Sequence, residues 1–317
     1  MKKRIFTILW ISIIIFGCTT SDKVAEAVSK INVDLQIARF DQEFSNSGGD
    51  IAPLRAKYPY LFPAADSVWK AKLADPIQIE LREEVAREFP DFDKEAVDLE
   101  LLFKHIKYYF PKLDVPKVMT VTNDVDHENR IILADSLLFI GLDNYLGPNH
   151  KFYVEFQNYV AINLDRQFMI SDVAGEFAKK IVPGPRDRSF ISRAIYYGKQ
   201  LYLKDKIIPF LSDAQKIGYS EEQLQWALTN EEPIWRYFVE RELLYDTDRK
   251  LAQRFLNLAP FSKFGLELDN ESPGRVGRYL GWQIVRAFMN NNTISLSQLM
   301  NLPGEEIFKK SNYKPKK

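Results

Sequence analysis

The stretch KVMTVTNDVDHENRIILADSLLFIGL, residues 117–142, decides the fold class. It holds three β-rich runs, Lys117–Thr122, Arg130–Ala134 and Ser136–Leu142, separated by short polar joints. Their Val, Ile, Thr and Phe content, bounded by Asn, Asp and Ser, predicts strands. On either side the period changes. Over residues 51–110, Leu99, Leu102, Phe103 and Ile106 recur at helical spacing and Pro111 closes the segment. Within it, PYLFP at 59–63 reads as a turn packed by aromatics. After Gly147-Pro148 the chain turns helical again. Ser220-Glu221-Glu222-Gln223 has the form of a capping box, Ser and Gln reciprocally satisfying the first backbone donors. Glu232-Pro233 opens a further helix, with Trp235, Phe238, Val239 and Leu243 on one face, and another helix runs from about Pro273 to Met289. Upstream, KINVDLQIARF (30–40) alternates Ile31, Val33, Leu35 and Ile37 as a half-buried strand would, before the break SNSGG at 45–49. Helices, a small antiparallel sheet, then helices predict an α+β fold, mostly α. One globular domain over 30–317 is expected, with lobes 30–111 and 112–317 as its subdivision.

Composition narrows the function. Of 317 residues, 43 are basic and 43 acidic, so the formal net charge is zero. A nucleic-acid interface normally carries a basic excess, so no nucleic-acid partner is expected. A chain that is 46% hydrophobic and 13% aromatic is not disordered. The single cysteine excludes an internal disulfide and a cysteine-based metal site. The three histidines, His105, His127 and His150, include no pair at the i, i+4 spacing that puts two imidazoles on one helix face. No metal or cofactor is expected.

The first residues read as an export segment. Met1-Lys2-Lys3-Arg4 precedes the apolar run IFTILWISIIIFG (5–17), the pattern of a secretion signal. That run is shorter than the roughly 20 residues a bilayer span needs. It ends in Ile15-Phe16-Gly17-Cys18, which resembles the lipobox of bacterial lipoproteins. The resemblance implies removal of residues 1–17, lipidation of Cys18 and a polar tether over 18–29. Loss of Lys2, Lys3 and Arg4 would leave the mature chain mildly acidic. Acyl chains would anchor it firmly, since each buried methylene contributes about 0.8 kcal/mol. Thr19, where the enterobacterial inner-membrane retention signal has Asp, favours the outer membrane.

Familiar catalytic patterns are missing. Gly274, Gly277 and Gly281 follow no strand and do not have dinucleotide-binding spacing; Gly277 and Gly281, four apart, would instead let another helix approach closely. There is no G-x-S-x-G elbow. His127-Glu128-Asn129-Arg130-Ile131 begins like H-E-x-x-H but has Ile131 at the second histidine. The acidic run Asp124–Asn129 resembles part of a calcium loop without its turn glycine or closing glutamate, and a solvated hairpin tip is expected. Arg275, Arg278 and Arg286 on the last long helix could contact an anion or a partner, with salt bridges to the chain's carboxylates as the simpler reading. The aromatics Tyr108, Tyr109, Tyr196, Tyr197, Tyr202, Trp226, Trp235 and Trp282 mostly fall at helical spacing, which predicts core packing ahead of glycan stacking.

Six runs, in order, resemble the gliding motility-associated lipoprotein GldB family of Bacteroidetes: ARFD (38–41), GLDNYLG (141–147), IYYGKQLY (195–202), KIGY (216–219), IWRYFVE (234–240) and SPGRVGRYLGWQIV (272–285). The resemblance covers nearly the whole mature chain. It implies an envelope lipoprotein needed for gliding, in a process linked to the type IX secretion apparatus, with no established catalytic activity.

The order of elements is also similar to a family of predicted zinc peptidases in which an H-E-x-x-H helix is followed by a helix bearing a glycine-centred motif. On that overlay the pentad falls on Gly175-Glu176-Phe177-Ala178-Lys179. Both histidines are lost, to Gly175 and Lys179; Glu176 keeps the general-base position, and Tyr197 stands where a third ligand belongs. Zinc needs three protein ligands and one open position, which these residues cannot supply. Lys179 would pair with Glu176 on the same helix face. The overlay thus implies a degenerate, metal-free zincin-like site. The expected function is a non-enzymatic envelope lipoprotein of the gliding machinery that binds other gliding or type IX secretion proteins. The alternatives are a metallopeptidase with atypical ligands, drawing on Asp143, His150 and Glu176, or a peptidoglycan- or glycan-binding lipoprotein.

Overall fold

A computed structural model describes residues 20–266 and 269–316. Before the sheet come α1 (Thr20–Ser29), α2 (Phe40–Ser45), α3 (Ala52–Lys57), α4 (Asp66–Ala74), α5 (Pro76–Glu88) and α6 (Asp93–Tyr109). The strands are β1 (Ile37–Ala38), β2 (Lys117–Val121), β3 (Ile131–Ala134) and β4 (Leu137–Gly141). After them come α7 (Asn158–Ala161), α8 (Met169–Ile181), α9 (Phe190–Ile207), α10 (Asp213–Ile217), α11 (Glu221–Thr229) and α12 (Glu231–Glu240). The chain closes with α13 (Lys250–Phe255), α14 (Val276–Asn291), α15 (Leu296–Asn301) and α16 (Gly304–Ser311). The mostly helical α+β order is as expected, and Ser220 and Gln223 do form a capping box at the start of α11.

The sheet corrects the expectation of an antiparallel one: it is mixed, in the order β1-β2-β4-β3. Only β3–β4 is antiparallel, while β1–β2 and β2–β4 run parallel. The cause lies in residues 122–130. They are a crossover, not a hairpin tip, and they carry the chain past the place β4 later fills. The buried carboxylate of Asp143 anchors that crossover, accepting the backbone N–H groups of Asn123 at 3.1 Å and Val125 at 2.7 Å. Asp124 and Val125 sit at φ 61° and 57°, and left-handed backbone is strained for a β-branched residue. The hydrogen bonds to Asp143 offset that strain. Asn144, next in the GLDNYLG run, donates to the Asn123 side chain at 2.7 Å.

The predicted strand over 30–40 shrinks to Ile37–Ala38. Its alternation is real, since residues 31–36 alternate between partly buried and exposed. That segment packs with a two-residue period, but only its end finds a ladder partner, in β2. The ARFD run fixes this end. Arg39 grips the Asp41 carboxylate with two hydrogen bonds, at 3.0 and 2.8 Å, and donates to the Phe89 carbonyl at 2.9 Å. The buried Thr120 hydroxyl of β2 donates to Asp41 in turn. The polar stretch expected to be a tether is helical over Thr20–Ser29, with Val28 buried and α1 against α6.

The main core draws on both sides of residue 112, joining Phe103 and Ile106 of α6 to Phe177 of α8 and Ile195 of α9. A cluster of rings, Phe190, Phe238 and Phe255, joins α9, α12 and α13, with Phe190 stacked on Phe238 at 4.7 Å and Phe255 edge-on to Phe238 at 4.9 Å. Its central feature is the crossing of α9 and α14. A Cβ built on Gly198 would lie 2.2 Å from the Gly281 carbonyl oxygen, and one on Gly281 would lie 2.0 Å from the Ala194 carbonyl oxygen. The helices therefore touch backbone to backbone, at a place where only glycine fits.

Rigid carbonyls cannot move aside as a side chain can. Gly198→Ala and Gly281→Ala are each expected to lose about 3 kcal/mol or more in chemical denaturation, the upper end of the overpacking range. Gly175→Ala is the control: its Cβ would meet only the end of the Lys204 side chain, at 3.6 Å. Alanine there should be neutral or stabilise by up to about 1 kcal/mol, through helix propensity.

Candidate functional site

Helices α8, α9 and α14, with residues of α7 and α10 and the start of β3, line a cleft of about 420 Å³. Helix α8 presents Asp172, Gly175, Glu176 and Lys179 along one face, as the i, i+3, i+4, i+7 spacing requires. Helix α9 presents Tyr197, Gln200 and Lys204 in the same way. Arg275 and Arg278, at the N-terminal end of α14, close the far side, and Arg130 lies below. The structure thus gathers six of the candidates named from the sequence, Gly175, Glu176, Lys179, Tyr197, Arg275 and Arg278, around one cleft. Cys18 lies outside the described residues. Lys204, Arg130 and Asp172 were not singled out. Lys204 is one heptad beyond Tyr197 on the same face, but in sequence it looks like an ordinary solvated cation of a last helical turn.

The lining carries six cationic side chains and three carboxylates. Some are neutralised within the protein. Arg130 Nε donates to Asp172 at 2.7 Å, and the Tyr145 hydroxyl donates to the same oxygen at 3.0 Å. Burial opposes the Arg130 charge, but Asp172 and Tyr145 hold its pKa above the usual value. Glu176 is tied to Lys179 at 2.6 Å. Lys216 pairs with Asp205 at 3.2 Å and Asp213 at 3.3 Å. The same two aspartates hold Arg286, so the salt-bridge reading of the arginine series is right for Arg286.

It does not hold for Arg275 and Arg278. Among the described residues, neither these two nor Lys204 forms an ion pair with a carboxylate. Each is tied instead to a carbonyl at the end of a helix. Lys204 donates to the Lys216 carbonyl at 3.0 Å and to the Ser171 hydroxyl at 2.9 Å. Arg275 donates at 2.7 Å to the carbonyl of Gly218, the left-handed residue that ends α10. Arg278 Nε donates to the Leu256 carbonyl at the end of α13. Such carbonyls lack intrahelical donors and carry the negative end of the helix dipole, so they favour a cation without neutralising it. Aromatic faces assist: Arg278 lies over the Tyr197 ring at 4.0 Å and Arg275 over Tyr219 at 5.6 Å.

The charges weaken one another. Burial pushes the Lys204 pKa down to about 8; Asp172 counters this, while Arg275, Arg130 and Arg278 reinforce it. Burial, then the neighbouring Arg275, pushes Arg278 down to about 10. Arg275 is lowered for the same first reason.

His127 and Glu128 line the cleft at its β3 side, while the other two histidines and Asp143 lie elsewhere. Asp143 holds the crossover. His150 Nε2 stands 3.5 Å from Glu84. His105 is buried on α6 with its Nδ1 2.8 Å from the Leu101 carbonyl. Among the described residues no group of three or more His, Cys, Asp or Glu side chains is placed to hold a metal ion. Nor, among them, is any helix long and apolar enough to cross a membrane.

Fold and site define a mostly helical α+β protein built around a cationic cleft. The family model described as gliding motility protein GldB matches residues 21–315, and the chain belongs to that lipoprotein family, which is not a known enzyme family. Membership makes it a gliding motility protein and points to an envelope lipoprotein. No curated protein and no solved structure matches this chain.

The Lys204 environment has a measurable signature. An unfolded lysine titrates near 10.4, so between about 8 and 10.4 the unfolded chain holds more protons and stability rises with pH. Lys204→Met removes that contribution. The stability of the variant relative to wild type, from urea denaturation, is expected to fall as pH goes from 8 to 10. A difference that stays flat would mean Lys204 keeps an ordinary pKa.

Proposed function

We propose that this protein is a non-enzymatic, lipid-anchored component of the gliding machinery, held in the cell envelope by Cys18 and acting by binding other gliding or type IX secretion proteins. The observation that carries the reading is the chemistry of the cleft. Its one centrally placed glutamate, Glu176, is held by Lys179, and the places flanking it are Gly175 and Lys179, neither of which can ligate a metal as a histidine does. A site built for turnover needs a base free to move a proton or a cation to activate water. Here the excess charge belongs to fixed arginine and lysine side chains, which suit recognition. The likeness of the α8 pentad to H-E-x-x-H fits a cleft that has kept its shape and lost its metal, since a site's chemistry can change while the fold stays. Thr19 favours the outer membrane, with the protein on its periplasmic face.

Two variants test this. Glu176→Gln keeps the shape and removes the only carboxylate that could serve as the base on that overlay. It should leave gliding on agar intact at normal protein abundance; non-motile cells with normal abundance would return the enzyme reading. Cys18→Ala should leave the precursor uncleaved and abolish both labelling by a palmitate analogue and membrane sorting. Unchanged membrane fractionation of that variant would contradict the anchor.

A further inference from the structure

Lys204, Arg275 and Arg278 come from two helices that cross in contact, and they face one cleft without a carboxylate among them. Hydrogen bonds to helix ends explain how they are tolerated, but they use only part of the donor capacity. An arginine has five N–H donors in a planar fork. Arg275 spends one nitrogen on Gly218, while its Nε is buried without a partner. The Gln200 Nε2, also on the cleft lining, is buried without a partner as well. Buried donors left unmade are costly, and like charges held together are costly too. One ligand would relieve both: an oxyanion, which accepts several N–H bonds and neutralises the cluster. The carboxylates already in the cleft do not fill this role. Asp172 is engaged by Arg130 and Tyr145, and Glu176, one turn further along α8, by Lys179. Glu128 completes the acidic set on the lining, at the β3 side beside His127.

We infer that the cleft is an oxyanion-binding site, with Lys204, Arg275 and Arg278 as its receptors and a carboxylate or phosphate group as its ligand. The inference rests on the binding reading above and names the chemistry by which the cleft would take hold of its partner. The Tyr197 and Tyr219 rings under the two guanidinium groups hold the forks in place, which suits bidentate recognition of a planar or tetrahedral oxyanion. Gly175 keeps the α8 wall low beside the Lys204 ammonium, so the group can approach it.

The lipidated protein, purified in a neutral detergent, tests this at constant ionic strength held with sodium chloride. Its probes are inorganic phosphate, a short peptide with a free terminal carboxylate, and the same peptide as its amide. Calorimetric binding of phosphate or of the free-acid peptide, but not of the amide, is expected; the arm that responds identifies the source of the oxyanion. Arg275→Gln/Arg278→Gln should weaken that binding at least tenfold, with circular dichroism confirming that the variant is folded. Should it not fold, Lys204→Gln serves the same purpose. No binding above the chloride background, or equal binding by a folded variant, overturns the inference. Photocrosslinking in gliding cells from a probe at Gln200 separates the two levels. A partner captured equally by wild type and the arginine variant sinks the oxyanion site and leaves the binding reading standing. Anion binding in vitro with no partner captured from wild type does the reverse.

Discussion

The carbonyl-to-glycine contact between α9 and α14 sets the geometry of everything around it. With Gly198 and Gly281 facing each other, the two helices lie closer than any pair of side chains would permit. The residues beside the contact follow. Tyr197 precedes Gly198 and Arg278 lies one turn before Gly281, so ring and guanidinium meet at 4.0 Å. One turn beyond Trp282, Arg286 reaches Asp205 of α9 at 2.7 Å and covers the buried Trp282 ring. A wider crossing would separate both pairs. The site is therefore a by-product of how tightly two helices pack, and the glycines shape it without lining it.

The protein treats its buried cations in two ways. Arg286, Lys216 and Arg130 are neutralised by aspartates and behave as internal struts. Lys204, Arg275 and Arg278 rest on helix-end carbonyls and aromatic faces, which orient them and leave the charge uncancelled. The distinction follows from where carboxylates fall in the sequence. Asp205 and Asp213 flank the Arg286 side of α9, whereas the Tyr197–Lys204 face carries no acid. A preorganised charge of this kind loses little entropy when a ligand arrives, because the forks are already stacked.

Local patterns were legible where the chemistry is local. The three β-rich runs, the Ser220 capping box and the apolar stripe of α6 emerge where periodicity and end signals place them. Gly277 and Gly281 announced close helix contacts, although the neighbours, the end of α13 for Gly277 and Gly198 for Gly281, could be found only in three dimensions. What failed was pairing. A strand's alternation says which face is buried but not which neighbour supplies the ladder, so residues 30–36 looked like a strand while lacking one. The direction of β2 against β4 was equally hidden, because it depends on a crossover pinned by Asp143, twenty residues from Asn123. Six site residues were visible one at a time, but their convergence was not. Lys204 was missed because a lysine in a helix's last turn looks the same in sequence whether it faces solvent or a cleft.

The docking of α1 has a mechanical side. Its first residue, Thr20, is two positions from Cys18, and two extended residues reach about 7 Å at most. Val28 is buried, and α1 rests on α6. An acyl group at Cys18 would thus be joined to the body by a stiff lever in place of a slack leash. The protein would ride low on the bilayer in a restricted attitude, and a sideways pull on it would be passed into the membrane as torque. A mount of that kind would transmit load that a flexible tether would dissipate.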